Sequence, residues 1–224
     1  LRHLRHAMMV KQGANGNVFS YNYSIEPTRS EFPTNYGGDI SLHGHYPFAN
    51  LFEGNIAQNC MIDQSWGPSG PFNTFFRNRI ELYGIVMSSG TVQSNGQNFV
   101  GNDVPNTGLF MGLYNLTGSN HIQHGNRIKG NITPAGTGTL NDTSYYLTQQ
   151  PFFWNISNSY PSIGVPYSQT GQSIPARERY LAGAFTLCGF PVITLPPPPT
   201  SLFSSTDSAF CANNCISFID NSID

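Results

Sequence analysis

A six-residue pattern recurs five times in the first 126 residues of this chain, and it constrains the fold more than any other feature. The copies are Asn17-Val-Phe-Ser-Tyr-Asn22, Asn50-Leu-Phe-Glu-Gly-Asn55, Asn73-Thr-Phe-Phe-Arg-Asn78, Gln97-Asn-Phe-Val-Gly-Asn102 and His121-Ile-Gln-His-Gly-Asn126. Their closing asparagines are 33, 23, 24 and 24 residues apart. Three nearly equal steps without helical periodicity specify a solenoid with one repeat per coil. The longer first step places an insertion between the first two coils. Stacked coils sit about 4.8 Å apart, so equivalent residues lie above one another. Phe19, Phe52, Phe75 and Phe99 then form an inward aromatic column. Asn22, Asn55, Asn78, Asn102 and Asn126 form an amide ladder, because Asn tolerates a left-handed backbone and can bond the coils on either side. A second strand is expected ahead of the pattern at 7–10, 40–42, 85–87 and 109–111. The fold class expected is all-β: a right-handed parallel β-helix of 23–24-residue coils, without long helices.

Composition narrows the function. Of 224 residues only 10% are charged, with a net charge of −2. No basic surplus exists to neutralise a phosphate backbone, which argues against nucleic acid as a partner. No apolar run reaches the roughly 18 residues of a membrane span, so no membrane insertion is expected. Aromatic residues, at 13%, are too plentiful for a disordered chain.

The solenoid is expected to occupy residues 1–190. Its part from about 134 onward holds aromatic, proline-punctuated stretches at 140–147, 151–154 and 161–164, expected to cap the open end of the stack. Residues 191–208, around Pro196–Pro199, read as a stiff linker. Residues 209–224 read as the start of a truncated β-sandwich. Both chain ends read as cuts in a longer protein, so further domains of the same chain are expected. Cys60 reads as a buried free thiol, whereas Cys188, Cys211 and Cys215 allow one disulfide. No cysteine spacing fits zinc.

The runs Gly44–Asn55, Gly70–Arg79, Leu140–Leu147 and Ile174–Tyr180 together resemble the pectate-lyase-like β-helix (pectin lyase superfamily) of large secreted Bacteroidota proteins. The tail at 209–222 resembles the opening of a PKD-type immunoglobulin-like module, which in such proteins often precedes a type IX secretion sorting domain. The resemblance implies a secreted or outer-cell-surface location and a polysaccharide or surface glycan as partner. It implies no particular activity, because that superfamily holds lyases, hydrolases, esterases and adhesins.

Candidate chemistry starts at the polar strand Asp39-Ile-Ser-Leu-His-Gly-His45. With period 2, Asp39, Ser41, His43 and His45 share one face, and the repeat offset places His6 level with Asp39. Imidazoles beside a carboxylate can ligate a divalent metal or transfer a proton to a sugar. Glycoside hydrolysis needs two carboxylates about 5–9 Å apart, for which Glu53, Asp63 and Glu81 are candidates. Lyase chemistry instead needs cations to neutralise a uronate, a role for Arg77 and Arg79, with Asp63 helping to hold calcium. Arg79, Asp103 and Arg127 share a column and also read as a salt-bridge ladder. Trp66 and Tyr46 are candidates to stack on a sugar ring. The sequence therefore leaves two readings: a β-helix that recognises and cleaves polysaccharide as a lyase or hydrolase, and a non-catalytic adhesin or stalk.

Overall fold

The computed structural model describes residues 1–28, 30–31, 35–88, 90–154, 160–165, 173–183, 203–205 and 218–220. The chain divides into two compact units, residues 1–184 and 185–224. The first is a parallel β-solenoid of about four turns built on two sheets.

One sheet stacks the repeat itself: Val18–Ser20, Leu51–Glu53, Thr74–Phe76, Asn98–Val100 and Ile122–His124, all parallel. Its register is the one the repeat dictates, with Phe19 beside Phe52, Phe52 beside Phe75 and Phe75 beside Phe99. The rings stack at 5.0, 5.3 and 5.2 Å, within 7° of parallel. Burying each ring contributes about 1.5–3 kcal/mol, and each stacked contact about 0.5–1.5 kcal/mol more.

The amide ladder forms as expected. The backbone N–H and Nδ2 of Asn22 both donate to Asn55 Oδ1, at 2.9 and 3.0 Å. Asn55 repeats this onto Asn78, Asn78 onto Asn102 and Asn102 onto Asn126. Each inner ladder residue also donates Nδ2 to a phenylalanine carbonyl of the coil before: Asn55 to Phe19, Asn78 to Phe52, Asn102 to Phe75 and Asn126 to Phe99. A second ladder runs through the opening residues of the pattern. Asn17 Nδ2 donates to Asn50 Oδ1, Asn50 to Asn73 Oδ1 and Asn73 to Gln97 Oε1 at 2.9–3.0 Å, and the Gln97 N–H donates to His121 Nδ1. The residue ahead of every rung is left-handed: Tyr21, Gly54, Arg77, Gly101 and Gly125 before the first ladder, Gly16, Ala49, Phe72, Gly96 and Asn120 before the second. Half are glycine, which adopts this conformation freely; the others are held there by the rungs on either side.

The other sheet has longer, uneven strands. Its order is Met8–Val10, Ile40–His43, Ile56–Asp63, Arg79–Met87, Asp103–Val104 and Asn126–Ile128, closed by the antiparallel Asn131–Thr133. Leu113–Asn115 also joins Arg79–Met87. The expected strand at 109–111 therefore lies four residues late, and Leu109 and Phe110 are exposed instead. Gly84 makes this junction, because a Cβ there would meet Leu113 O at 2.0 Å. Inward residues of both sheets form one core, including Met8, Ile40, Leu42, Cys60, Ile62, Ile85 and the phenylalanine column. Cys60 is a buried free thiol, as expected.

Residues 134–154 follow the flank of the repeat sheet back towards the first coil, where a cap over the open end was expected. Thr137 accepts at Oγ1 from the Gly125 N–H, Tyr145 stacks on Phe76 at 4.1 Å, and Trp154 meets Tyr21 edge-on. With Tyr23, Ile56, Ile163 and Ile174 they enclose a second core. The short helix Pro175–Leu181, with Pro at its first turn, sets Tyr180 against Tyr23. In the second unit, Phe203–Ser205 pairs antiparallel with Phe218–Asp220. The first of these strands falls within the expected linker. Pro196–Pro199, Cys188, Cys211 and Cys215 lie outside the described residues.

Candidate functional site

The structure scatters most of the residues singled out from sequence. Asp39 is fully buried. Its Oδ1 accepts from Ser24 Oγ at 2.7 Å, and its Oδ2 accepts from the Gln58 and Asn59 N–H groups at 2.8 and 3.1 Å. Burial pushes its carboxyl up against the opposing pull of those donors. Asp39 is a structural tie, contrary to the expectation of a catalytic group on a solvated face. Ser41 is equally buried. Gly38, just ahead of Asp39, packs so closely that a Cβ would lie 2.8 Å from Met61 Cβ. Nor is His6 level with Asp39: Met8 faces Ile40, so Ala7 takes that place.

Glu53 and Arg77 are also buried, on the opposite flank. Glu53 accepts from Tyr21 OH and Ser144 Oγ at Oε1 and from the Tyr145 N–H at Oε2. Arg77 lies over the Phe76 ring and donates to Leu140 O. Both hold the returning segment to the solenoid. Arg79 sits 3.2 Å from Glu81, which Arg177 of the short helix also approaches at 3.8 Å. The Arg79 side chain, expected to bind substrate, is 12% exposed beside this pair. Arg79, Asp103 and Arg127 are in register as foreseen, but Asp103 is buried, and its carboxyl is pushed up by burial despite the two guanidiniums.

What remains together is the corner after Ile40–His43. His43 and Asp63 face each other across adjacent coils, with Nδ1 and Oδ2 2.7 Å apart but off hydrogen-bond alignment. Asp63 Oδ1 accepts from the Ser65 N–H. The half-buried His6 ring lies 5.4 Å from that of His43, its Nδ1 is 3.1 Å from Gly38 O, and burial lowers its pKa. Gly44, His45 and Tyr46 then run consecutively at φ 67°, 55° and 62°. For the two non-glycine residues this costs about 1–2 kcal/mol each. The turn is fixed by His45 N–H donating to Trp66 O and Tyr46 N–H donating to Pro68 O. It stacks the His45 ring on Trp66 at 6.1 Å and 17°.

Two neighbouring clefts open at this corner. Lys11, Gln12, His43, His45 and Trp66 line one of about 270 Å³. The other, about 490 Å³, runs over the next coils between Tyr46, Pro71, Phe72, Val92, Asn95 and Asn120. Trp66, Tyr46 and Phe72 are 60%, 56% and 65% exposed on their rims. Phe72, Lys11 and Gln12 are the site residues that the sequence did not disclose; the opening position of the repeat, just after Phe72, was the available signal. Among the described residues no group of three His, Cys, Asp or Glu side chains is placed to hold a metal ion. Among the described residues, no helix is long and apolar enough to cross a membrane.

No protein family, curated protein or solved structure matches this chain.

Proposed function

We propose that this chain binds a polysaccharide along the aromatic corner of its solenoid, as a secreted or outer-surface protein. The observation that carries this reading is the row of exposed rings, Trp66, Tyr46 and Phe72, along two clefts that also present side-chain amides, two imidazoles and Lys11 beside Pro68, Pro71 and Val92. Flat apolar rings beside hydrogen-bonding groups suit the two kinds of surface on a sugar. Backbone strain at His45 and Tyr46 is consistent with a functional turn. A binding role is favoured over hydrolysis because Asp39 and Glu53 are locked into structural hydrogen bonds, leaving Asp63 as the carboxylate by the clefts. The His43–Asp63 pair favours a second reading, in which the imidazole moves a proton on the bound sugar.

Affinity electrophoresis against neutral and acidic polysaccharides tests the first reading. Retardation by one of them, weakened about tenfold or more by Trp66→Ala, is the expected result. No retardation by any member of the panel would sink it. Reducing-end release that disappears in His43→Ala would move the protein to the second reading.

A further inference from the structure

The larger of the two clefts lies over inner coils, and its floor follows the repeat. Phe72, Gly96 and Asn120 each stand two residues ahead of the paired strand residues Thr74, Asn98 and Ile122. They are therefore equivalent positions of successive coils, about 4.8 Å apart along the stack. All of them are left-handed, at φ 66°, 67° and 58°. Backbone bonds fix the column: the Phe72 N–H donates to Gly96 O at 2.8 Å, and the Gly96 N–H to Ser119 O at 3.0 Å. Along the column the side chains run ring, gap, amide. Gly96 leaves a notch between the Phe72 ring and Asn120, where even a Cβ would come 3.1 Å from Pro71 Cβ.

Tyr46 and Val92 continue the apolar rim. The polar groups beside it include free amides. Asn95 Oδ1 accepts from the Ser119 N–H and Oγ at 2.8 and 3.2 Å, which leaves its Nδ2 to donate outward. Asn120 is exposed, and among the described residues its side chain has no hydrogen-bond partner. None of the described residues lining this cleft is Asp, Glu, Lys, Arg or His. The smaller cleft differs in this respect, with Lys11, His43 and His45 in its wall.

We propose that the larger cleft is a subsite for uncharged sugar units and that Gly96 sets its selectivity, an inference that rests on the glycan-binding reading above. A sugar ring lies over the notch at Gly96 with one face on Phe72, and its hydroxyls meet Asn95 Nδ2 and the Asn120 amide. The polymer then runs along the stack, where equivalent positions recur at a fixed step. A carboxylate or sulfate in the same place would leave water for a wall of rings, prolines and Val92, with no cation there to pair with it. The cleft selects against charged sugars by leaving their charge unpaired.

The test is affinity electrophoresis of the full chain in gels holding matched pairs of polymers: dextran and dextran sulfate, β-glucan and its carboxymethyl form, polygalacturonate and its carboxyl-reduced form. At least one uncharged member should retard the protein, and its charged counterpart should bind about tenfold or more weakly. Gly96→Asn fills the notch with the residue type that the next coil already carries there in the same left-handed conformation. Phe72→Gly removes the ring and suits a backbone at φ 66°. Each should weaken binding of the uncharged polymer about fivefold or more. A charged member bound as tightly as its uncharged counterpart overturns the subsite while leaving glycan binding in place. So does binding of the uncharged polymer that both substitutions leave untouched. Retardation by no member of any pair removes the glycan-binding reading and this inference with it. The paired comparison uses the unaltered chain, so a variant that folds poorly cannot mask the outcome.

Discussion

The two sheets of the solenoid are built from the same stretch of chain yet obey different rules. In the repeat sheet, the paired strands after the first step are 23, 24 and 24 residues apart. In the long sheet the corresponding steps, from Met8 to Ile40, Cys60, Ile85 and Tyr114, are 32, 20, 25 and 29. The difference teaches where the structure is over-determined. Each repeat strand is clamped between two left-handed residues and two amide rungs, so its length cannot change. Long-sheet strands leave through open corners, where loop closure grows costlier only slowly with length. The candidate site lies on those permissive corners, as functional loops on a rigid frame generally do.

The sharpest way to break this contrast is to lengthen the chain once inside a repeat strand and once in a turn between two strands of the long sheet. A single residue between Phe99 and Val100 displaces both the column and the following rung, and the chain should fail to fold, read as loss of cooperative unfolding by circular dichroism. Two residues between Gly108 and Leu109, an exposed turn, should cost less than about 1 kcal/mol by urea titration. Next in size is Asn78→Ala. It removes the onward side-chain bond to Asn102, the bond to Phe52 O and the acceptor for the Asn55 N–H and Nδ2, at about 2–4 kcal/mol in the same assay. Asp39→Asn keeps the size but turns one of the two acceptor oxygens into an NH2 facing Ser24 or the Gln58 and Asn59 N–H groups, and about 1–3 kcal/mol of stability is expected to go with it.

The smallest effect is a pH slope. The His6 pKa is lowered in the folded state, so the unfolded chain binds the proton more readily. Its contribution is intact above the ordinary imidazole value of about 6.5 and is lost as pH falls below it. Thermal melts between pH 7.5 and 5.5 should show a decline for the native chain that is shallower in His6→Gln. An equal slope in both would remove His6 from the account.

Much of the frame could be read from residue spacing, because a solenoid repeats its contacts at fixed intervals and each column is a local sequence signal. The phenylalanine column and the Asn22–Asn126 ladder needed nothing else. Less of the site could be read. Period-2 alternation put Asp39 and His43 on one solvated face, and it could not register that Ser24, Gln58 and Asn59 close around Asp39 while His43 keeps part of its exposure. Glu53 and Arg77 looked available because their cover, residues 140–145, comes from a segment about ninety positions away for Glu53 and about sixty for Arg77. Trp66 and Tyr46 kept their exposure because nothing in the described chain returns to that corner.

The amino-acid sequence by itself determined a stack of β coils, its period and the identity of its inward rings, since these follow from local spacing repeated along one axis. Only the tertiary structure decided which polar residues meet solvent. Burial of an Asp or Arg depends on what packs over it from elsewhere in the chain, and no periodicity within a coil encodes that.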